Sequence, residues 1–202
     1  MTPLTADIEP HRAAFLELEY SASSAYNEFV YKDRAQADTV RTLLLDKGVA
    51  EFTSHYSRAL VEDGALAGFI TRLSAEELKQ CRMKSAFAIG KSGVFEKDPA
   101  LLDRMRIAAD ILASVGQGDF YISRLAVGPD YGGRGYAGLL MRHAHDEAAR
   151  NGARRLTFEV ASDNLPVYNM HRKQGFEEVE RRHGHDPGTG RSLTFIQMAR
   201  PV

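Results

Sequence analysis

The stretch AVGPDYGGRGYAGLLM, residues 126–141, constrains this chain more than any other. A strand-like run stops at Pro129, four glycines fall within residues 132–138, and a helical pattern then begins with no acidic side chain at its mouth. The first N–H groups of a helix have no intrahelical partner and carry partial positive charge, so such a start can hold an anion without lysine. Glycines let a bulky pyrophosphate reach those donors and permit positive φ in the loop. Two readings stand side by side here: a pyrophosphate cradle over residues 132–138 with Arg134 as an added charge, or simply a tight strand-to-helix turn.

Other glycine motifs fit less well. GKS at residues 90–92 invites comparison with G-x-x-x-x-G-K-S, but that pattern needs glycine where this chain has Ser85, and helical sequence precedes it. Gly133-Arg134-Gly135 followed by Gly138 has the spacing of a dinucleotide fingerprint, yet no second strand-helix-strand unit surrounds it.

The flanking sequence sets the fold class. Residues 10–31 and 34–47 read as two helices, the second with Ala37, Val40, Leu44 and Leu45 on one stripe and Gly48 at its end. Asp63-Gly64 between two apolar runs is a hairpin signal, placing two antiparallel strands over residues 57–72. Ser74 with Glu77 reads as a capping box opening a helix to about Ala88, and Asp98-Pro99 opens another with Leu101, Met105, Ala108, Leu112 and Val115 in line, ending at Gly116. In residues 119–127, DFYISRLAV, Phe120 and Ile122 share one parity whereas Leu125 and Val127 have the other. Either an extra residue near Ser123 to Leu125 makes a bulge that restores one apolar face, or the strand is buried on both faces.

Beyond the glycine helix, Leu156, Phe158 and Val160 alternate with Thr157, Glu159 and Ala161. A short helix follows from Pro166 to Gly175, then a hairpin of residues 176–182 and 192–199. These elements predict an α/β (α+β) fold: a mixed, mostly antiparallel central sheet with helices on both faces, in one domain over residues 1–202, with a helical insertion at about 74–115. A chain of 202 residues with 44% hydrophobic content suits that size of core.

Lys+Arg 26 against Asp+Glu 27 gives a formal net charge of -1, which argues against nucleic acid or an acidic membrane as partner. The single cysteine, Cys81, sits mid-pattern in a helical stretch with no activating neighbour in sequence and fits a reducing compartment. With no apolar run near the ~20 residues of a membrane span, and no signal-peptide pattern in MTPLTADIEPHR, the expected location is cytoplasmic. His143 with His145 face different ways on a helix and His183 with His185 lie in a predicted hairpin loop, so no metal site is expected.

LAVGPDYGGRGYAGLLM followed by LTFEVASDNLPVYNMHRKQGF resembles the GNAT superfamily of acyl-CoA-dependent N-acetyltransferases. The family loop, (Gln/Arg)-x-x-Gly-x-(Gly/Ala), is matched by Gly135 and Ala137 and departs at Gly132. The resemblance covers residues 119–182 specifically, extends plausibly to both hairpins and does not reach 74–115. It implies acetyl-CoA as co-substrate, its pyrophosphate on loop residues Gly132, Gly133, Arg134, Gly135, Tyr136, Ala137 and Gly138. The pantetheine arm is implied to pair along Leu125, Ala126 and Val127, with Asn164 holding that arm or capping the next helix.

Acetyl transfer to an amine requires the amine to be neutral. A lysine-like amine of pKa ~10.4 costs about 4.6 kcal/mol to deprotonate at pH 7, an α-amine near ~8 only about 1. The resemblance, through L-x-x-E-V-x-x-x-N, makes Glu159 the candidate base against a plain solvated strand glutamate. The family's acid tyrosine, seven residues after the motif asparagine, falls on His171 here, with Tyr168 one helical turn earlier. His171 would need an upward pKa shift; Tyr168 could substitute; or the thiolate leaves without an acid. The acceptor is an amine of a small molecule or peptide, roofed by the N-terminal helices and the insertion, and dimers are common in the family. A non-catalytic acyl-CoA sensor or interaction protein is the alternative, motivated by loss of the family tyrosine.

Overall fold

The computed structural model describes residues 4–112 and 114–202. Its sheet runs β1 (Leu4–Thr5), β2 (Ser57–Glu62), β3 (Ala65–Ser74), β4 (Asp119–Val127), β5 (Arg155–Ala161), β6 (Glu177–His185) and β7 (Ser192–Pro201), in the spatial order β1-β2-β3-β4-β5-β7-β6. The helices are α1 (Arg12–Ala22), α2 (Ser24–Val30), α3 (Arg34–Asp46), α4 (Ala75–Gly90), α5 (Val94–Lys97), α6 (Ala100–Ile111), α7 (Tyr136–Arg150) and α8 (Leu165–Lys173). Among the described residues only β4 and β5 pair in parallel, joined by the α7 crossover; the other pairings are antiparallel, the hairpins β2–β3 and β6–β7 as predicted.

Local chemistry explains most boundaries. Asp63 (φ 50) and Gly64 (φ 78) both adopt the left-handed conformation that a two-residue hairpin turn needs to match strand twist, and they join β2 to β3. Ser74 Oγ accepts from the Glu77 N–H at 3.3 Å while Glu77 Oε2 accepts from the Ser74 N–H at 2.8 Å, closing the capping box of α4.

Two expected boundaries move. The helix read over 10–31 breaks at Ser23 (φ -121, ψ 22) into α1 and α2. The helix opened by Asp98-Pro99 stops at Ile111 instead of running to Gly116, because Leu112 turns extended (φ -72, ψ 146). Arg182 Nη1, from β6, takes the Leu112 carbonyl at 2.6 Å, so a distant strand supplies the partner for this helix end.

Alternation along the strands sends each face to a different core. On β3, Phe69 points to a layer built with Phe15, Val40, Leu45, Leu101 and Ile111, and Ile70 points to the opposite layer under α7 with Leu140, Ala144 and Phe176. Phe15 and Phe69 touch at a ring-centroid distance of 4.5 Å, both fully buried, a contact whose truncation to Ala costs about 3–5 kcal/mol. The segment 74–115 packs into the same layer as the N-terminal helices through Ala88, Ile89, Leu101 and Ala108. It forms a roof over one sheet face and is no separate appendage.

On β4 the bulge reading holds. Thr71 of β3 faces Arg124 whereas Arg72 faces Ile122, which leaves Ser123 as the extra residue. Phe120, Ile122, Leu125 and Val127 consequently all meet the α7 layer. The same bulge turns Ser123 and Arg124, adjacent in sequence, toward the roofed side, where Ser123 Oγ donates to Glu51 at 2.6 Å and Arg124 Nε to Glu19 at 3.0 Å.

Candidate active site

The glycine run opens α7 as its local geometry requires. Gly133 (φ 74) and Gly135 (φ 79) are left-handed, Gly135 is the residue capping α7, and no side chain caps this helix start. A side chain added at either position would meet nothing within 4 Å, so their need for glycine comes from backbone conformation and not from protein packing. Helix geometry leaves the N–H groups of Tyr136, Ala137 and Gly138 without a partner one turn back, while Leu139 already donates to Gly135 O at 3.0 Å. Unpaired, partly positive N–H groups at a helix start are the kind of donors that can take an anion. Gly132, at φ -60, is extended and packs near Pro129 O.

Arg134 is placed differently from a free phosphate ligand. Its guanidinium donates to Glu62 Oε2 at 2.7 Å and lies over the Tyr131 ring, and the Tyr136 hydroxyl donates to the other Glu62 oxygen. An anion in the cradle would compete with Glu62 for Arg134.

The strand that leads into this loop is split from its neighbour. β4 and β5 pair at Asp119↔Arg155, Phe120↔Leu156 and Tyr121↔Thr157, and the register ends there. Beyond that rung both strands line a cavity of about 820 Å³, β4 through Leu125, Ala126 and Val127 and β5 through Phe158 to Ala161. Glu19, Tyr26, Arg82 and Met105 from the roof helices line it, and Asn164 and His171 border it on the α8 side.

Glu159 lines the cavity as its strand parity predicts, and its Oε2 accepts the Tyr121 hydroxyl at 2.6 Å. Burial, then the negative charges of Glu159 and Glu51, push the Tyr121 phenol well above its ordinary value, so Tyr121 remains the donor. Behind this pair lies a charged wall. Arg41 and Arg124 both bind the Glu19 carboxylate, only 1% exposed, and Arg82 reaches Glu51 at 3.3 Å. Burial pushes the Arg124 guanidinium down, but Glu19 and Glu51 outweigh it and hold it above its ordinary value. Among the described residues, Arg82 Nη2 and Ser23 Oγ on this wall are buried without a hydrogen-bond partner.

The two acid candidates part company. His171 is 5% exposed, packed against Phe158 and Phe176 at ring-centroid distances of 4.5 and 5.4 Å, with Nδ1 against Gln174 Oε1 at 3.2 Å. Burial pushes its imidazole below the ordinary value, opposite to the upward shift that an acid role required. Tyr168 donates to Glu178 Oε2 at 3.2 Å and does not line the cavity. Asn164 caps α8, its Oδ1 accepting from Val167 N–H at 3.4 Å. Cys81 is buried, its thiol pushed up by that burial. Among the described residues there is no metal-binding group of three His, Cys, Asp or Glu side chains, and no helix is long and apolar enough to cross a membrane.

Sequence reasoning missed Tyr121, Glu51, Arg82 and the Glu19–Arg41–Arg124 group. Tyr121 carried a signal, since its parity in β4 sets it on the face away from Phe120 and Ile122. Glu19 and Glu51 carried none, because they meet β4 only through tertiary packing.

Comparison with known proteins gives a consistent result. The model of the acetyltransferase (GNAT) family matches residues 17–176. The [Ribosomal protein bS18]-alanine N-acetyltransferase of Escherichia coli K12 is 29% identical over 97 residues, 48% of this chain and 66% of that protein, slightly under two thirds of its length. The streptothricin acetyltransferase of Streptomyces lavendulae is 40% identical over 55 residues, 27% of this chain and 29% of its own. Among solved structures, the fold matches SsHAT with TM-score 0.66 at 16% identity over 98% of this chain and 97% of that one. An N-acetyltransferase from Staphylococcus aureus Mu50 matches with TM-score 0.63 at 13% identity over 98% and 100%.

Proposed function

The chain belongs to the acetyltransferase (GNAT) family, and from that premise we propose that it transfers an acetyl group from acetyl-CoA to the amine of a small molecule or peptide held under the helical roof. The observation that carries this reading is the fork: β4 leaves β5 after three paired rungs and runs directly into the glycine cradle. A thioester arm lying along Leu125, Ala126 and Val127 would reach the cavity with its pyrophosphate on the N–H groups at the start of α7. The roof helices and segment 74–115 act in this reading as part of the same catalytic unit, since both supply cavity wall.

In this arrangement Glu159 accepts the proton of the attacking amine. The C–N bond forms as the C–S bond breaks, and the thiolate departs with the electron pair. His171, held neutral by burial, and Tyr168, turned to Glu178, leave no acid at the fork from α8, and a thiol of pKa ~8.5 makes a thiolate stable enough to leave unaided. Residues of the roof helices, Glu19, Tyr26, Arg82 and Met105 among them, line the cavity and in this reading choose the acceptor. Buried donors without partners, such as Arg82 Nη2, favour an acceptor with polar groups.

The test is calorimetric titration with acetyl-CoA, with ADP and NAD as controls, followed by an amine screen that reads release of free CoA. Tight binding of acetyl-CoA, much weaker binding of ADP and turnover with an amine are the expected results. Failure of acetyl-CoA to bind would end the cradle reading. Binding without turnover of any amine would favour an acyl-CoA sensor.

A further inference from the structure

Tyr121 stands on the last rung before β4 and β5 separate, opposite Thr157. Its ring is 2% exposed and packs with Leu73, Leu78 and Cys81 on the roofed face of the sheet. From there its hydroxyl reaches across to β5 and donates to Glu159 Oε2 at 2.6 Å, and both residues line the cavity. A hydrogen bond donated to a carboxylate stabilises its charged form, and a donor locked in a packed core also fixes the direction in which the carboxylate points. This contact joins two residues 38 apart in sequence at the rung where β4 and β5 separate.

We propose that Tyr121 is a positioning residue for acetyl transfer: its hydroxyl keeps Glu159 ionised and turned into the fork, ready to take the proton of the acceptor amine. The inference rests on the base role of Glu159. Through the reaction Tyr121 keeps its own proton; the amine proton passes to Glu159, the C–N bond forms and the thiolate leaves with the C–S electrons. Other charged and titratable groups face the pair from each packed element. Arg82 of α4 stands 5.9 Å from the Tyr121 ring centroid, Glu51 approaches from the segment before β2, and Arg124 lies on β4 itself. Arg182 of β6 acts on Glu159, and Cys81 of α4 and Tyr56 pack beside the ring. Tyr121→Phe leaves these groups in place and removes one oxygen, so a difference between variant and wild type reports that hydroxyl.

The first readout needs no acceptor: infrared titration of the Glu159 carboxylate in the free protein, identified by subtracting the spectrum of Glu159→Gln. Glu159 is expected to titrate at higher pH in Tyr121→Phe than in wild type. With a turning-over amine, the acid limb of the kcat profile moves to higher pH in the same direction. The plateau should fall about tenfold, the low end for loss of one hydrogen bond to a charged group, while acetyl-CoA affinity stays within twofold. An unmoved Glu159 titration, or a fall in kcat with an unmoved acid limb, would overturn the proposal in favour of a purely packing role. Glu159→Gln separates the two layers of inference. If it turns over like wild type, the base role itself fails; if it is inactive while Tyr121→Phe matches wild type in rate and profile, only the role of Tyr121 fails.

Discussion

Replacing Gly135 by Asp, with Asn as its neutral isostere, tests the proposed cradle at the residue that caps α7. Gly135 caps α7 at φ 79, and the Cβ direction is open for 4 Å, so either side chain is accommodated by the protein itself. Both variants carry left-handed strain of about 1–2 kcal/mol, somewhat less for Asn, which appears as a small loss of thermal stability. What differs is one negative charge at the mouth of the helix. Against a pyrophosphate of about two negative charges at about 5 Å in near-aqueous dielectric, the repulsion comes to roughly 2 kcal/mol. That corresponds to about a 30-fold weaker Kd. Calorimetry with acetyl-CoA at low and physiological salt reads it directly: Asp should bind about 30-fold more weakly than Asn, and the gap should narrow as salt rises. Equal affinity of the two variants, within twofold, would refute an anion at this helix start, and the glycines would then serve only the turn.

Three further outcomes follow from the same geometry. Glu159→Gln should lower kcat by about 10²–10⁴, measured by free CoA release, with acetyl-CoA affinity unchanged, since it removes the proposed base and leaves the proposed cradle. His171 is held neutral in the fold, so the unfolded chain binds more protons below about pH 6.5 and stability falls as pH drops through that value; melting curves between pH 5 and 7.5 should show wild type losing more than His171→Phe, and parallel curves would contradict the burial argument. Glu19→Ala takes one carboxylate partner from both Arg41, which keeps Asp38 and the Leu16 carbonyl, and Arg124, which should cost about 3 kcal/mol, the low end for breaking a buried pair. For a chain of this size that is a drop in Tm of about 10 °C by calorimetry.

The bulge on β4 shows how far sequence reaches. Parity alone required an extra residue between Ser123 and Leu125 if Phe120, Ile122, Leu125 and Val127 were to share a face, and they do share the α7 layer. What parity could not convey is the consequence on the other side, where Ser123 and Arg124 bind Glu51 and Glu19 in the cavity wall. His171 makes the converse point. Motif spacing selected it as an acid candidate, but its ionisation is set by Phe158 and Phe176, which pack around it from a strand and the loop after its own helix.

By itself the sequence determined the hairpin turn at Asp63-Gly64, the capping box at Ser74, the side of β5 on which Glu159 lies and the glycine conformation at the start of α7. Each of these is decided by residues within a few positions of one another, through φ preference, side-chain period or a local hydrogen bond. Tertiary structure alone decided where α6 stops, that β4 carries a bulge and is not simply buried on both faces, that Tyr121 holds Glu159, and that Glu19 bridges two arginines. Glu19 and Arg124 are 105 residues apart in the chain, and Tyr121 and Glu159 sit on different strands. Such pairs are chosen by the burial of the surfaces that carry them, because a desolvated charge must find its partner wherever packing has brought one within reach.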